Sequence, residues 1–478
     1  MATKPNAPII HLPSGPIQPL HLKNNLIHAR GIPYAHAPRF SPPRPIAPWT
    51  TPLDCTARAP ICPQLPSRLS SVMGPATPPC WSGCMAGPER GIVCVSVTYR
   101  LGVFGYLGVE GIAPANLGLM DQRAALRWVQ EEGNVGVFGG DRGNVTVVGQ
   151  SAGADSIVCL MGVEGEGVDG LFRRAVLVSP PLREVGERGR EGTAGLLARR
   201  AEGLFGKDPR EMSVEELLEV QRRLLVEPVR NQVMLFAPAM GVEPLPEGEG
   251  EFERRVAEAM RRVDVLVGWT ESDGRPFARM MGPASLLGLP VVGAWLEALG
   301  TWFVTQSYFK WPSQRFHRRV LEVGGRSTSY EFAWKAKGNS LGACHCIDVP
   351  FVLGTWEGWK NAPMLAGEDS EEEIARLGSM VKDLWAGFAK GGELGSEHIT
   401  LGVSLEASSH TPVTYFQINF QINFQINFQI NFQINFRTGC QCQSCASHLM
   451  VECYPERADV ENTNRWDGAC LKRGSSER

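Results

Sequence analysis

A serine stands between two glycines in Val145-Thr-Val-Val-Gly-Gln-Ser-Ala-Gly153, after a β-prone run and before a stretch of small residues that reaches Met161. A serine on so sharp a turn between strand and helix is held out at the end of a sheet. The glycines two before and two after it leave room for the helix to pack back on the strand. The helix N-terminus beneath Ser151 presents unpaired N–H groups to negative charge, beginning with Ala152. The bland alternative is an ordinary turn between a strand and a helix.

A hydroxyl is a poor nucleophile at its own pKa. It needs a base within hydrogen-bond reach and an acid behind that base. The run Val263 to Gly268 reads as a strand, and Trp269-Thr-Glu-Ser-Asp-Gly274 follows it. That puts Glu271 and Asp273 just past a strand end, where such an acid belongs. Farther on, Gly342-Ala-Cys-His-Cys-Ile-Asp348 places His345 in a loop entered through a glycine. His317 lies among Arg315, Arg318 and Arg319, which reads as a solvated basic face, and His410 and His448 lie beyond the apparent core. Chain order and context therefore select Ser151, then Asp273 or Glu271, then His345.

The elements that must position these residues alternate. Gly91 to Tyr99 is a near-continuous β-branched run, as expected of a strand buried on both faces. Asn116 to Glu132 carries an apolar stripe at helical spacing, and Arg174 to Val178 is a short strand. Ser213-Val-Glu-Glu216 and Ser370-Glu-Glu-Glu373 are capping-box signatures before helices. Strands alternating with helices predict an α/β domain built on a mostly parallel sheet with helices on both faces. Residues 1–70 are proline-rich and read as an extended arm, with Tyr34, Phe40 and Trp49 docking it on the core.

The chain of 478 residues is compatible with one large α/β domain, here 1–402, followed by a tail, 403–478. A net charge of −3 points to neither nucleic acid nor an anionic membrane. No apolar run spans a bilayer, and Met1 to Pro8 lacks the apolar core of a signal peptide, so the expected compartment is the cytoplasm. The 13 cysteines then read as reduced thiols. In the tail, Phe-Gln-Ile-Asn repeats from Phe416, with Phe and Ile on one parity and Gln and Asn on the other. This is a cross-β hazard, and its four-residue period is what translating a short nucleotide repeat gives. Cys440, Cys442, Cys445 and His448 are zinc ligands in type, but a structural site draws on two separated pairs, so no metal is expected.

The sequence resembles the type-B carboxylesterases, a family that includes the cholinesterase-like proteins. The resemblance covers most of residues 30–390. It rests on Gly31-Ile-Pro-Tyr-Ala35, Ala37-Pro-Arg-Phe-Ser-Pro-Pro43, Tyr99-Arg-Leu-Gly-Val-Phe-Gly105, Asn116 to Val129, Phe138-Gly-Gly-Asp141 and Gly149-Gln-Ser-Ala-Gly153. It implies an α/β-hydrolase fold and cleavage of small-molecule esters through an acyl-serine, with no cofactor. It places the catalytic acid at Asp273 and the histidine at His345, with Glu271 as the fallback acid and Ala152 as an oxyanion donor.

The chain departs from the family at one place. The family carries an H-G-G loop, and a strand leading into it, between the Cys-Pro-Gln segment and the central strand. Here Ile61-Cys-Pro-Gln64 is followed closely by Cys80 to Gly91, and no H-G-G occurs anywhere. The cysteine that pairs with the equivalent of Cys62 in disulfide-bonded members is missing too. A deletion near residues 70–85 is expected to remove one interior strand and the upstream oxyanion donors. The expected result is a weak or inactive esterase. The competing readings are a non-catalytic binding protein on a hydrolase scaffold and the unstable product of a truncated gene.

Overall fold

The computed structural model describes residues 8–74 except 23–25 and 58, and 90–226 except 166, 167, 169 and 183–188. It further describes 235–402 except 282–289, 354, 355, 392, 393, 395 and 396, together with 430–435 and 448–456. The strands are β1 Ile10–Leu12, β2 Gly15–His21, β3 Leu26–His36, β4 Leu53–Cys55, β5 Ile92–Val97 and β6 Val145–Gln150. They continue with β7 Arg174–Val178, β8 Asp264–Thr270, β9 Ser327–Phe332, β10 His398–Leu401, β11 Ile430–Asn435 and β12 His448–Glu456. The sheet order is β1-β2-β3-β12-β5-β11-β6-β7-β8-β9-β10, with β4 paired to β2.

From β6 to β10 every pairing is parallel. Side chains along these strands alternate between two cores. Val93, Val95, Val145, Val147, Ala175, Leu177, Val265 and Val267 enter one. Ile92, Cys94, Val148, Val176, Val178 and Leu266 enter the other. Both faces are covered, which is why these strands read as continuous apolar runs rather than as alternating ones. The connecting helices include Leu117–Gln130, Ala152–Met161, Val214–Val226 and Glu371–Ala389. The last opens on the expected capping box, with Ser370 and Glu373 bonding reciprocally.

The blocks that carry the family resemblance meet at a buried clamp. Arg100 forms a two-pronged ion pair with Asp121, Nη2 to Oδ1 at 2.7 Å and Nε to Oδ2 at 2.8 Å. Its remaining fork nitrogen donates to the carbonyls of Pro38 and Ser41 at 3.1 and 2.6 Å. One guanidinium thus ties the proline-rich arm to the loop after β5 and to the helix Leu117–Gln130. These residues hold the architecture rather than perform chemistry. The arm is not merely extended: it supplies β1 to β4, and Tyr34 and Phe40 are buried in the core. Cys62 is buried, and its sulfur accepts from the Leu101 N–H at 3.2 Å.

The sheet differs from the expectation in its middle. The tail was expected outside the core, yet two pieces of it pair into the sheet. β11 lies antiparallel between β5 and β6, and β12 lies parallel between β3 and β5. Both rows of backbone groups on β5 are satisfied in this way by strands of β-prone sequence. Residues 75–89, which include most of the stretch where a deletion is expected, and the Cys440–Cys445 cluster lie outside the described residues.

Candidate active site

The strand β6 runs into Ser151, whose φ of 53° and ψ of −122° lie outside the ordinary regions for a side-chain-bearing residue. Such strain costs on the order of 1–3 kcal/mol and persists only where the surroundings enforce it. Here they do. Ser151 N–H donates to the Val178 carbonyl at 2.8 Å, and the Ser151 carbonyl accepts from Asp155 N–H at 3.1 Å as the helix begins. A Cβ on Gly149 would lie 2.5 Å from the backbone of Gly153 and 2.6 Å from that of Ala154. Strand and helix therefore approach so closely that glycine is obligatory. The helix Ala152–Met161 starts beneath the serine with the Ala152 N–H in its first turn.

The acid and the base enter from the carboxyl ends of neighbouring strands, where ligand sites of open α/β sheets lie. Asp273 sits in the turn after β8 and His345 in the loop after β9. The two loops are stitched together: Ser272 N–H donates to the Ala343 carbonyl at 2.8 Å. His345 Nδ1 lies 2.7 Å from Asp273 Oδ1, and both side chains are fully buried. The second carboxylate oxygen, Oδ2, accepts from Ser179 Oγ at 2.9 Å and from Thr270 N–H at 2.8 Å. The imidazole is gripped by two rings, Phe277 at 5.1 Å and Phe309 at 4.8 Å between centroids. Ala152 packs against the same aromatic cluster, which brings the serine turn to the histidine. The far ring nitrogen, Nε2, is 3.1 Å from Gln150 Nε2.

Of the residues singled out in the sequence, Asp273 and His345 meet, Ser151 and Ala152 lie on the turn that adjoins them through Gln150 and the aromatic cluster, and Glu271 stands apart. Glu271 is exposed and pairs with Lys335 at 3.3 Å. His317 corrects its expectation of a solvated face. It is buried, with Nδ1 2.9 Å from Ser327 Oγ, because the helix that carries it packs that side on β9. His398 stacks on Trp269 at 5.5 Å. His410 lies outside the described residues.

Several participants were missed. Ser179 follows directly on β7, and its position at a strand end beside the acid loop was the available signal. Gln150 lay inside the motif as its variable position. Phe277 and Phe309 gave no signal, because their contact with His345 joins distant segments.

Burial shapes the titration of the surroundings. Asp348, three residues past His345, accepts from Tyr330 Oη at 3.2 Å. Burial first, and the charge of Asp273 second, push its carboxyl up to about 7. Burial also pushes the Cys344 thiol up to about 12 and the Cys346 thiol well above its ordinary value. Both therefore stay protonated at neutral pH and do not compete with Ser151 as nucleophiles. Among the described residues no three His, Cys, Asp or Glu side chains are grouped to hold a metal ion. No helix there is long and apolar enough to cross a membrane.

A strained serine on a strand-turn-helix elbow, with an Asp–His pair on later strand ends of a mainly parallel sheet, defines an α/β-hydrolase of the serine esterase class. Comparison with known proteins gives the same answer. Residues 84–287 match the model of the carboxylesterase family. A probable N-octanoylanthranilate hydrolase of Rhodococcus erythropolis is 35% identical over 418 residues, covering 76% of this chain and 89% of that protein. A para-nitrobenzyl esterase of Bacillus subtilis strain 168 is 28% identical, covering 79% and 88%. A solved thermophilic para-nitrobenzyl esterase superposes with a TM-score of 0.62 at 23% identity, over 81% of this chain and 92% of that one. The chain belongs to the carboxylesterase family, whose members hydrolyse carboxylic esters.

Proposed function

We propose that Ser151, His345 and Asp273 form the catalytic triad of a carboxylic ester hydrolase acting on small-molecule esters. The observation that carries this reading is the buried 2.7 Å pair of Asp273 and His345, beside a serine held at positive φ. An ionised Asp273 accepts only, so the proton of a neutral ring sits on Nδ1 and Nε2 is free to act as base. Nε2 takes the Ser151 proton as Oγ attacks the ester carbonyl, then returns it to the leaving alcohol. Water repeats the sequence on the acyl-serine. The Ala152 N–H is aimed at the oxyanion.

We further propose that this chain is a weak or inactive esterase because the upstream oxyanion donors are gone. The 418 aligned positions of the Rhodococcus relative exceed the 76% of this chain that they occupy, which supports a missing stretch. Losing one donor costs about 3 kcal/mol. Two lost donors cost about 6 kcal/mol, a rate loss of four to five orders of magnitude. Grafting an H-G-G loop and its strand between Gln64 and Gly91 is expected to restore ester hydrolysis by a large factor. Equal activity with and without the graft would refute the oxyanion argument.

One observation favours the non-catalytic reading. Nε2 of His345 is engaged by Gln150, and no hydrogen bond joins it to Ser151. Labelling of Ser151 by a fluorophosphonate in the loop-grafted chain separates the two: a folded graft that remains unlabelled is a binding protein on a hydrolase scaffold. The tail residues around β11 and β12 belong to the folded unit in this proposal rather than to an appendage.

A further inference from the structure

Gln150, the last residue of β6, is 2% exposed, and its side chain touches the one ring nitrogen the triad needs. With the ring proton on Nδ1, facing Asp273, Nε2 is an acceptor and the Gln150 amide nitrogen is the donor opposite it. The amide oxygen, Oε1, is buried with no hydrogen-bond partner among the described residues. A buried acceptor without a partner costs stability and calls for a reason.

We propose that Gln150 is a positioning residue that serves His345 in both protonation states: its amide donates to Nε2 of the neutral ring and, turned over, accepts from Nε2–H of the charged ring. This rests on the triad reading above. In that reaction the Oγ–H bond of Ser151 breaks, Oγ bonds to the carbonyl carbon, and the proton moves to Nε2. The proton later passes from Nε2 to the leaving alcohol oxygen. Gln150 gains and loses none. Its N and O exchange places by a half-turn about the terminal torsion, a change that alters no shape. The orphan Oε1 is then the acceptor held in reserve for the charged ring. While the amide donates, it also keeps the Ser151 hydroxyl off Nε2, so the serine pairs with its base only as the amide yields.

The groups around the ring are Asp273 on Nδ1, the rings of Phe277 and Phe309, and the thiols of Cys344 and Cys346 on either side in sequence. Asp348 and Tyr330 lie behind Asp273, and Arg275 and Arg279 act on Cys344 from the helix after the acid turn. The Cys346 thiol also hydrogen-bonds the Gln150 side chain, and apart from the reacting Ser151 it is Gln150 whose amide lies beside Nε2.

The test reads the ring directly. The titration of His345 is followed by nitrogen NMR in the full chain, its signal assigned by loss in His345→Gln. A hydrogen bond to a charged partner is stronger than one to a neutral partner. Removing both roles in Gln150→Met is therefore expected to lower the His345 pKa by about half a unit to one unit. Gln150→Glu, which accepts only and carries charge, is expected to raise it by a unit or more. A rise or no change in Gln150→Met overturns the proposal: a rise means the amide only donates, and no change means it is a bystander. If the Met variant does not fold, a rise below half a unit in Gln150→Glu overturns it instead. Fluorophosphonate labelling on the same samples keeps the two readings apart. In the loop-grafted chain, an unlabelled Ser151 with the expected titration sinks the esterase reading alone, and a labelled Ser151 with an unmoved ring sinks the role of Gln150 alone.

Discussion

Replacing Asp273 by asparagine leaves the shape of the site intact and inverts its hydrogen bonding. Oδ2 of Asp273 receives two donors, Ser179 Oγ and Thr270 N–H, while Oδ1 faces His345 Nδ1. In Asp273→Asn the oxygen stays where the two donors are, and the NH2 falls opposite Nδ1. Nδ1 must then accept, the ring proton moves to Nε2, and the base for Ser151 is gone. Turning the amide the other way faces its NH2 with two donors and breaks both bonds. At about 1–3 kcal/mol for each buried group left unpaired, the wrong orientation is favoured by roughly 2–6 kcal/mol. At 1.36 kcal/mol per decade, the upper half of that range is a loss of about 10³ to 10⁴ in rate.

The assay is the second-order rate of fluorophosphonate labelling at Ser151, with thermal melts to confirm that the variant is folded. Labelling within tenfold of the native chain would refute the reasoning. A second arm sharpens it. Ser179→Ala costs the native chain one hydrogen bond to the ionised carboxylate, a fall of about tenfold or more. In the Asp273→Asn background the same change removes half of the lock and is expected to cost nothing or to restore part of the rate.

Three further outcomes can be checked. Gly149→Ala drives a Cβ to 2.5 Å from backbone atoms that cannot move aside, so a loss of at least about 3 kcal/mol is expected in a chemical melt. A melt within 1 kcal/mol of native, on the scale of a tolerated core change, would mean that the elbow is looser than described. The buried carboxyl of Asp348 titrates near 7 folded and near 3.8 unfolded, so the folded state holds its proton more tightly. Its contribution is fully present below pH 3.8 and is lost as pH rises through 7. Asp348→Asn should therefore gain stability on the native chain between pH 5 and pH 8, by on the order of 2–3 kcal/mol. Parallel melts across that range would expose the error. Phe432→Pro removes a backbone donor in the middle of β11, where it pairs with β5 and β6. A clear fall in melting temperature is expected, whereas an unchanged melt of this variant, or of a chain ended at Gly402, would return the tail to the role of an appendage.

The α/β plan was legible because its strands are buried on both faces and read as apolar runs with helical stripes between them. Arg174–Val178 was placed to the residue, and chain order with loops at strand ends led to His345 and to Asp273 or Glu271, between which the family resemblance chose. What stayed hidden depends on contacts between distant segments. Ser179 becomes a partner of Asp273 only once β7 and β8 are paired. Phe277 and Phe309 meet at His345 from separate elements. His317 looked exposed because its neighbours in sequence are arginines, but a helix buries one residue in three or four whatever flanks it. The tail misled in a different way. Its alternation was read as a cross-β hazard, and its pairing with β5 joins segments more than three hundred residues apart.

That placement of β11 and β12 bears on how the molecule is made. Synthesis delivers β6 to β10 in order, each able to dock beside the last, and this half of the sheet can assemble while the chain is still growing. The strand β5 emerges earlier still and must wait with both edges bare, since its partners are separated from it by well over three hundred residues. Closing such long loops is slow, and an open β-edge pairs readily with whatever strand it meets. The centre of the sheet is thus the last part to close. Its yield in the cell should depend on ribosome spacing and on the holding chaperones that keep the strand apart from its neighbours until residues 430–456 arrive.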